Sequence, residues 1–499
     1  AESGRGNHDQ AIVHYNKAIK LKPDRADFYN NLAVIYTKID DFKLAVENTK
    51  MSLVLSPHHP DTWNIIGSNL NSLENYSAAI RSFECAIRIN PVHKKALNNI
   101  ALSFGRLMRY KEGATNFKKS ILIEPQASEL WHNFGVNLDE AGETPDAIKI
   151  YQRTLVLRPD YLEVRNNLGI ALFKGKEFKV ALDIFQGVKT DSAASFSLRC
   201  LYHLGRYNEV KDTLKTLAGE YPKSRVLAAT SCSLSNELTV IDPHPFCKQP
   251  LDFIQVSSIL GNDKFFNGFI SKLLTETEDT RRFWEPKNKT TRHGYQTVGN
   301  VLCSGQMTEL LENILRDEIT NYRNRFIDEK CEFIQNWPSN YSLNGWVVQL
   351  KSGGYQDPHI HPAGWLSGVL YLKTVASKSG DEGAIKFSLG DLDTQKSKCK
   401  TKIINPGPGD LILFPSSLYH KTIPFHAETD RITIAFDVIP EPYAQNEIFK
   451  GKVLQPITNN EGVVSSGAGL EQLLGLYNQG RLEEALKLGI SLSQQHPND

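Results

Sequence analysis

Five prolines stand 34 residues apart, at Pro23, Pro57, Pro91, Pro125 and Pro159. A fixed period of that length admits few folds, because each unit must bury its apolar face against the next unit rather than within itself. Other positions keep the same phase. A small residue precedes each proline by twelve positions (Ala11, Ala45, Ala79, Gly113, Ala147), and an aromatic precedes it by eight in four of the five units (Tyr15, Phe83, Phe117, Tyr151). Between them run apolar words at helical spacing: Tyr29-x2-Leu32-Ala33, Trp63-x2-Ile66-Gly67, Leu97-x2-Ile100-Ala101 and Trp131-x2-Phe134-Gly135. Small residues let two antiparallel helices approach closely, the aromatic fills the gap between successive hairpins, and proline ends the second helix. The pattern predicts stacked helical hairpins. A sixth unit (Leu168, Gly169, Ala181, Phe185) lacks its proline, and a more degenerate hairpin ends near Tyr221-Pro222.

This pattern resembles the tetratricopeptide family over residues 1–225. The resemblance implies an all-α solenoid whose groove takes a protein or peptide partner. Asparagines recur in the first helix of successive units: Asn30, Asn31, Asn64, Asn98, Asn99, Asn133, Asn166 and Asn167. They read equally well as a ladder for an extended peptide backbone or as a solvated face.

At 499 residues the chain is too long for one domain, and its formal net charge of +1 argues against nucleic acid or an acidic membrane held by bulk charge. No run of about 18 apolar residues marks a membrane span, and the first residues, AESGRGNHDQ, have no signal-peptide core. The seven cysteines are scattered without CxxC spacing, which fits a reduced, cytoplasmic setting. Residue 1 is Ala, and the last residues read as the start of a new repeat, with Ala485 twelve before Pro497. A piece of a longer chain is therefore expected.

The 34-residue phase stops near residue 225, and 226–250, rich in Ser, Pro and Cys, reads as a linker. Residues 251–440 then carry two helix-like stretches, 265–274 and 307–326, followed by short strands broken by Gly/Pro turns: 346–350, 367–373, 384–389, 402–415 and 431–440. Such strands indicate a sandwich or jelly roll. The last strand, RITIAFDVIP, alternates as a half-buried strand does. Residues 441–466 read as a second linker, and 467–499 as a further repeat.

The chemistry of this second region is concentrated in a few residues. His359 and His361, two apart on extended backbone, share a face, and a remote His420 follows LILFPSSLY. Two ligands from one strand and one from another can cap three sites of a metal and leave three open. Arg431 opens the last strand with Thr433 on its face, and a buried guanidinium there needs a carboxylate. Tyr371 shares a strand face with Ser367 and Val369, so its hydroxyl can join the same pocket.

The order His-x-His, His, Arg-x-Thr, with the words HIHPAGWLSGVLYL, GDLILFPSSLYH and RITIAFD, resembles the 2-oxoglutarate/Fe(II) oxygenases, in the branch found beside tetratricopeptide repeats in bacteria and phages. TTRHGYQT at 290–297 resembles that branch's N-terminal signature. The resemblance implies a double-stranded β-helix with flanking helices. It implies Fe(II) on His359, His361 and His420, and 2-oxoglutarate on Arg431 with Tyr371 and Thr433 assisting. Most of that superfamily carries a carboxylate where this chain has His361. A second register, His361-Pro362-Ala363, would place alanine in that slot, as in related halogenases. His426, Trp365 and Asp357 read as a loop residue, a packing residue and a solvated acid, while His293 is left open between cleft and surface. The expected activity is a dioxygenase that hydroxylates a protein or peptide recruited by the solenoid. The competing expectation is a scaffold with a decayed oxygenase domain, against which stands the retention of all three histidines and Arg431.

Overall fold

The computed structural model describes residues 5–258, 264–278, 282–286, 289–303, 305–375, 380–390 and 399–441. The second linker and the further repeat expected over 441–499 fall, but for residue 441, outside the described residues. The chain forms two compact units divided between Val164 and Arg165.

The first unit is all helical. It begins with α1 (Arg5–Leu21), followed by the hairpins α2 (Ala26–Lys38) with α3 (Phe42–Leu55), α4 (Pro60–Ser72) with α5 (Tyr76–Ile89), α6 (Lys94–Arg106) with α7 (Tyr110–Ile123), and α8 (Ser128–Glu140) with α9 (Thr144–Leu157). Each in-phase proline lies two residues past the end of α1, α3, α5, α7 or α9, where the chain has already left the helix. The turns keep the period as well: Asp40, Glu74, Met108, Gly142 and, beyond this unit, Lys176 all take left-handed φ, from 56° to 80°. Only one of the five is glycine, so the turn geometry is imposed by the packed hairpins rather than by the residue. The expected close approaches are present. A Cβ on Gly67 would sit 2.5 Å from the Phe83 ring, and one on Gly135 would sit 2.5 Å from Tyr151.

The asparagines form a ladder of a kind the sequence did not suggest. Asn99 Nδ2 donates to Asn64 Oδ1 (3.1 Å), and Asn133 Nδ2 donates to Asn98 Oδ1 (3.2 Å), each across 35 residues. All four side chains are buried. They are neither a solvated face nor open rungs; they hydrogen-bond one repeat to the next. Asn30 Oδ1 is buried without a partner, and the residue 35 further on is Ile65.

The second unit starts with helices: α10 (Leu162–Lys174, which crosses the division), α11 (Phe178–Phe185), α12 (Asp191–His203), α13 (Tyr207–Glu220) and α14 (Arg225–Glu237). Helix α14 occupies the first half of the stretch read as a linker. Four of its five Ser, Thr and Cys residues (Thr230, Ser231, Cys232, Ser235) are buried as small packing residues, so a composition that resembles a linker here serves a tight helix interface.

An antiparallel curled sheet follows: β1 (Gln255–Ser258), β2 (Arg282–Trp284), β3 (Thr291–Thr297), β4 (Tyr341–His359), β5 (Leu366–Lys373), β6 (Ile385–Ser388), β7 (Thr401–Ile404), β8 (Asp410–Pro415), β9 (Tyr419–Thr422) and β10 (Arg431–Pro440). The strand order is β1-β8-β5-β10-β4-β9-β6-β7, with β3 also on β4 and β2 on β3. The 19-residue β4 pairs with β10 through its first half and with β9 at its end. Gly353 (φ 80°) lies between these two pairings.

Helices α15 (Lys264–Glu278) and α16 (Gln306–Arg325) accompany the sheet. One core holds Leu273, Leu311, Leu315 and Ile319 of these helices with Leu366, Leu370, Leu411, Leu413, Ile434 and Phe436 of the strands. A second core, on the other face of the same strands, holds Val369, Tyr371, Ile412, Phe414 and Ala435 with Ile385 and Phe387. Strand β10 is therefore buried on both faces, not half-buried as its alternation suggested, because the helices cover the side that would otherwise meet water.

Candidate metal centre

The second core narrows to a polar pocket. Its walls include His359, His361 and His420, with Tyr371, Thr433 and Arg431 beyond them. His359 ends β4, and His361 lies two residues past the strand, just before a turn, its backbone N–H donating to the Ser416 carbonyl (3.0 Å). His420 sits on β9 directly across from His359 in the ladder. The ring centroids are 5.2 Å (359–361), 4.2 Å (359–420) and 5.0 Å (361–420) apart.

Hydrogen bonds fix which nitrogens converge. His359 Nδ1 donates to the Asp357 carbonyl (2.7 Å), and His420 Nδ1 donates to the Leu418 carbonyl (3.1 Å). His361 Nδ1 donates to Asp437 Oδ1 (2.6 Å). Each Nδ1 therefore carries the proton, which leaves each Nε2 lone pair free to bind a cation. One ligand atom from each ring lies within 4.8 Å of the others. Burial, then the neighbouring His361, pushes His359 down to about 3, and burial with both neighbours pushes His420 well below the usual range. Burial thus favours the neutral form of His359 and His420, which is the form that binds a metal.

Arg431 lies across the pocket. Only 2% of it is exposed, yet among the described residues its one hydrogen bond of good geometry is from Nε to the Gly383 carbonyl (3.1 Å), and its guanidinium carbon lies 4.8 Å from the centre of the Tyr371 ring. Among the described residues Arg431 Nη1 and the Tyr371 hydroxyl are both buried with no partner at hydrogen-bonding geometry, although the two side chains attract each other. The adjacent carboxylate, Asp430, is taken by Lys351 (2.6 Å) and Gln349 (2.6 Å). Among the described residues no carboxylate pairs with Arg431. Burial lowers the Arg431 pKa and raises that of Tyr371, and each moves the other's back toward its charged form.

Residues 344–437 match the family described as "Putative 2OG-Fe(II) oxygenase", while 4–40, 60–93 and 133–196 match three tetratricopeptide repeat families. The chain is a tetratricopeptide–oxygenase-domain fusion. It is also similar to solved structures of MamA (24% identity, 31% of this chain and 91% of that one, TM-score 0.30), of YrrB, "a TPR protein with an unusual peptide-binding site" (18%, 38% and 97%, 0.32), and of Pseudomonas aeruginosa PilF (16%, 44% and 96%, 0.35).

The groups implied by an oxygenase domain fit the residues present. Three converging imidazoles suit a divalent first-row metal. A buried cation and a buried hydroxyl, both without partners, suit a carboxylate that arrives with a ligand. The remaining residues read from sequence fall as follows. Trp365 is buried and donates through Nε1 to the Phe333 carbonyl, so it packs. Asp357 holds His359 through its backbone, while its side chain pairs with Arg292 (2.6 Å). His426 is exposed, 3.9 Å from Glu382. His293 is exposed with φ 48° and stays away from the three imidazoles. Pro362 and Ala363 form a turn, so the alternative register has no strand beneath it. Sequence reasoning missed Asp437 and Ser416 and named Ser367 only as sharing a strand face with Tyr371; all three stand behind His361. A signal was available for the first: Arg431, Thr433, Ala435 and Asp437 alternate along one face of β10. Among the described residues no helix is long and apolar enough to cross a membrane.

Proposed function

We propose that this protein is a non-haem iron, 2-oxoglutarate-dependent dioxygenase that hydroxylates a protein or peptide recruited by its repeats in the cytoplasm. The observation that carries the reading is Arg431. A fully buried guanidinium without a carboxylate partner, in the same pocket as three inward-facing imidazoles, is costly unless a ligand supplies the carboxylate. In this reading His359, His361 and His420 hold Fe(II). Arg431 binds the distal carboxylate of 2-oxoglutarate through Nη1, and Tyr371 adds its hydroxyl, with Thr433 beside them on β10.

Iron with 2-oxoglutarate and dioxygen supplies an oxidation that places one oxygen atom in a substrate C–H bond and the other in succinate, with carbon dioxide released. The protein's own residues bind, orient and exclude water. Backbone carbonyls at Asp357 and Leu418 hold two imidazoles in one tautomer. Val369, Ile385 and Ala435 line the pocket with apolar surface, which keeps water from the reacting atoms. Peptide recruitment is supported by the tetratricopeptide repeats themselves.

Anaerobic titration tests the reading: one Fe(II) should bind per chain, and 2-oxoglutarate should then bind saturably and be slowly decarboxylated when air is admitted, without added substrate. Iron binding with no 2-oxoglutarate binding would overturn it.

A further inference from the structure

The three imidazoles differ in what stands behind them. His359 and His420 donate to neutral backbone carbonyls. His361 donates to a carboxylate, at 2.6 Å. That carboxylate, Asp437, is 6% exposed and accepts a second hydrogen bond from Ser367 Oγ (2.6 Å), whose oxygen lies 2.8 Å from Ser416 Oγ. Among the described residues no lysine or arginine forms an ion pair with it; its one ion-pair contact is His361. The surrounding chain closes on this arrangement. A Cβ on Gly364 would fall 2.5 Å from Ser416 Oγ and 3.0 Å from Asp437, so the turn after His361 can approach only as glycine. The Trp365 N–H to Val438 carbonyl bond (2.8 Å) ties that turn to β10, the strand that carries Asp437.

Charge accounting gives this asymmetry a purpose. Three neutral imidazoles bring no negative charge to a divalent cation. A buried carboxylate without a counter-cation is unfavourable on its own. Each deficit answers the other across one imidazole ring. We infer that Asp437 is a positioning residue which, through the Nδ1–H of His361, gives this one ligand anionic character and so supplies the site with the single negative charge that its three ligands lack. Ser367 holds Asp437 in line and Ser416 holds Ser367. The inference rests on the three histidines being the metal site.

A four-protein comparison of the full-length chain separates this from a packing role: wild type, Asp437→Asn, His361→Asp and the double variant, each titrated with Fe(II) alone under argon, with thermal melts of the metal-free proteins. Asp437→Asn should weaken Fe(II) by about tenfold to a hundredfold, the usual cost of losing a partner behind a metal ligand, while the metal-free melting temperature stays close to wild type. His361→Asp should also weaken binding, because the introduced carboxylate faces Asp437. In that background Asp437→Asn should strengthen binding, since the repulsion is removed and an amide N–H can donate to the new ligand. A packing residue cannot reverse sign in this way. Equal Fe(II) affinity in wild type and Asp437→Asn, or the same loss in both backgrounds, overturns the inference and leaves the metal site standing. Wild type that binds no Fe(II) overturns both. Should Asp437→Asn fail to fold, His361→Asp decides by itself: affinity equal to or above wild type would refute a charge already supplied by Asp437.

Discussion

Replacing Arg431 with methionine separates a cosubstrate-binding cation from a structural one. In the protein without cosubstrate, Arg431→Met removes the Nε bond to Gly383 and the contact with the Tyr371 ring. The bond is of a kind that contributes about 1.5–3 kcal/mol, and the ring contact about 0.5–2 kcal/mol. Against this stands the removal of a desolvated charge with no carboxylate partner, a cost of several kcal/mol per buried ion. The two nearly cancel, and the aliphatic chain fills most of the volume, so the domain should stay within about 2 kcal/mol of wild type. Binding of 2-oxoglutarate should respond very differently. Loss of one charged hydrogen bond to its carboxylate costs at least about tenfold, and loss of two costs at least about a hundredfold.

Thermal shift of the Mn(II)- or Fe(II)-loaded protein measures both effects at once. At a cosubstrate concentration a hundred times its Kd, wild type gains about 2.7 kcal/mol, or about 5–10 °C for a domain of this size. The variant should start within about 4–8 °C of wild type, and its gain at that concentration should fall to about 1.4 kcal/mol for a tenfold weaker Kd and to about 0.4 kcal/mol for a hundredfold weaker one. A variant that melts far below wild type while keeping the full 2-oxoglutarate shift would show that Arg431 supports the fold, and the reasoning from its missing partner would fail.

Substituting His359, His361 or His420 singly with alanine should abolish stoichiometric Fe(II) binding, seen by equilibrium dialysis, without loss of the far-ultraviolet circular dichroism of the fold. Gly135→Ala should destabilise the repeats by about 1–3 kcal/mol, because its Cβ would lie 2.5 Å from the Tyr151 ring. Gly105→Ala, whose Cβ meets only Asn137 at 3.6 Å, should be neutral or stabilising by up to about 1 kcal/mol in chemical denaturation. His132 packs against Tyr151 and Tyr161, and burial lowers it to about 4 from an ordinary 6.5. Its folded form therefore resists protonation that the unfolded chain accepts, so its contribution is complete above about pH 6.5 and is lost as pH falls toward 4. His132→Phe should flatten the acid limb of the repeats' stability curve by up to about 3 kcal/mol; an unchanged limb would show that the ring titrates freely.

The sequence by itself determined the repeats, because period is a property of the chain. Every unit buries the same positions against the same neighbours, so Gly67 under Phe83 and Gly135 under Tyr151 follow from phase alone. It also brought out the pocket-facing residues His359, His361, His420, Tyr371, Thr433 and Arg431, because strand alternation assigns faces locally. What it could not contain are the partners, which depend on pairings between distant segments. Asp437 meets Ser367 because β10 lies beside β5, an alignment 70 residues apart in the chain. That the asparagines bond to one another, Asn64 with Asn99 and Asn98 with Asn133, depends on how one hairpin seats on the next, and the sequence left the same residues open between a peptide-binding ladder and a solvated face. Helix α14 looked like a linker because small polar residues are common to linkers and to tight helix interfaces, and only burial separates the two. The absence of a carboxylate beside Arg431 is likewise a tertiary fact. Asp430 is its neighbour in sequence, but successive side chains on a strand point to opposite faces, so this acid pairs with Lys351 while Arg431 turns into the pocket.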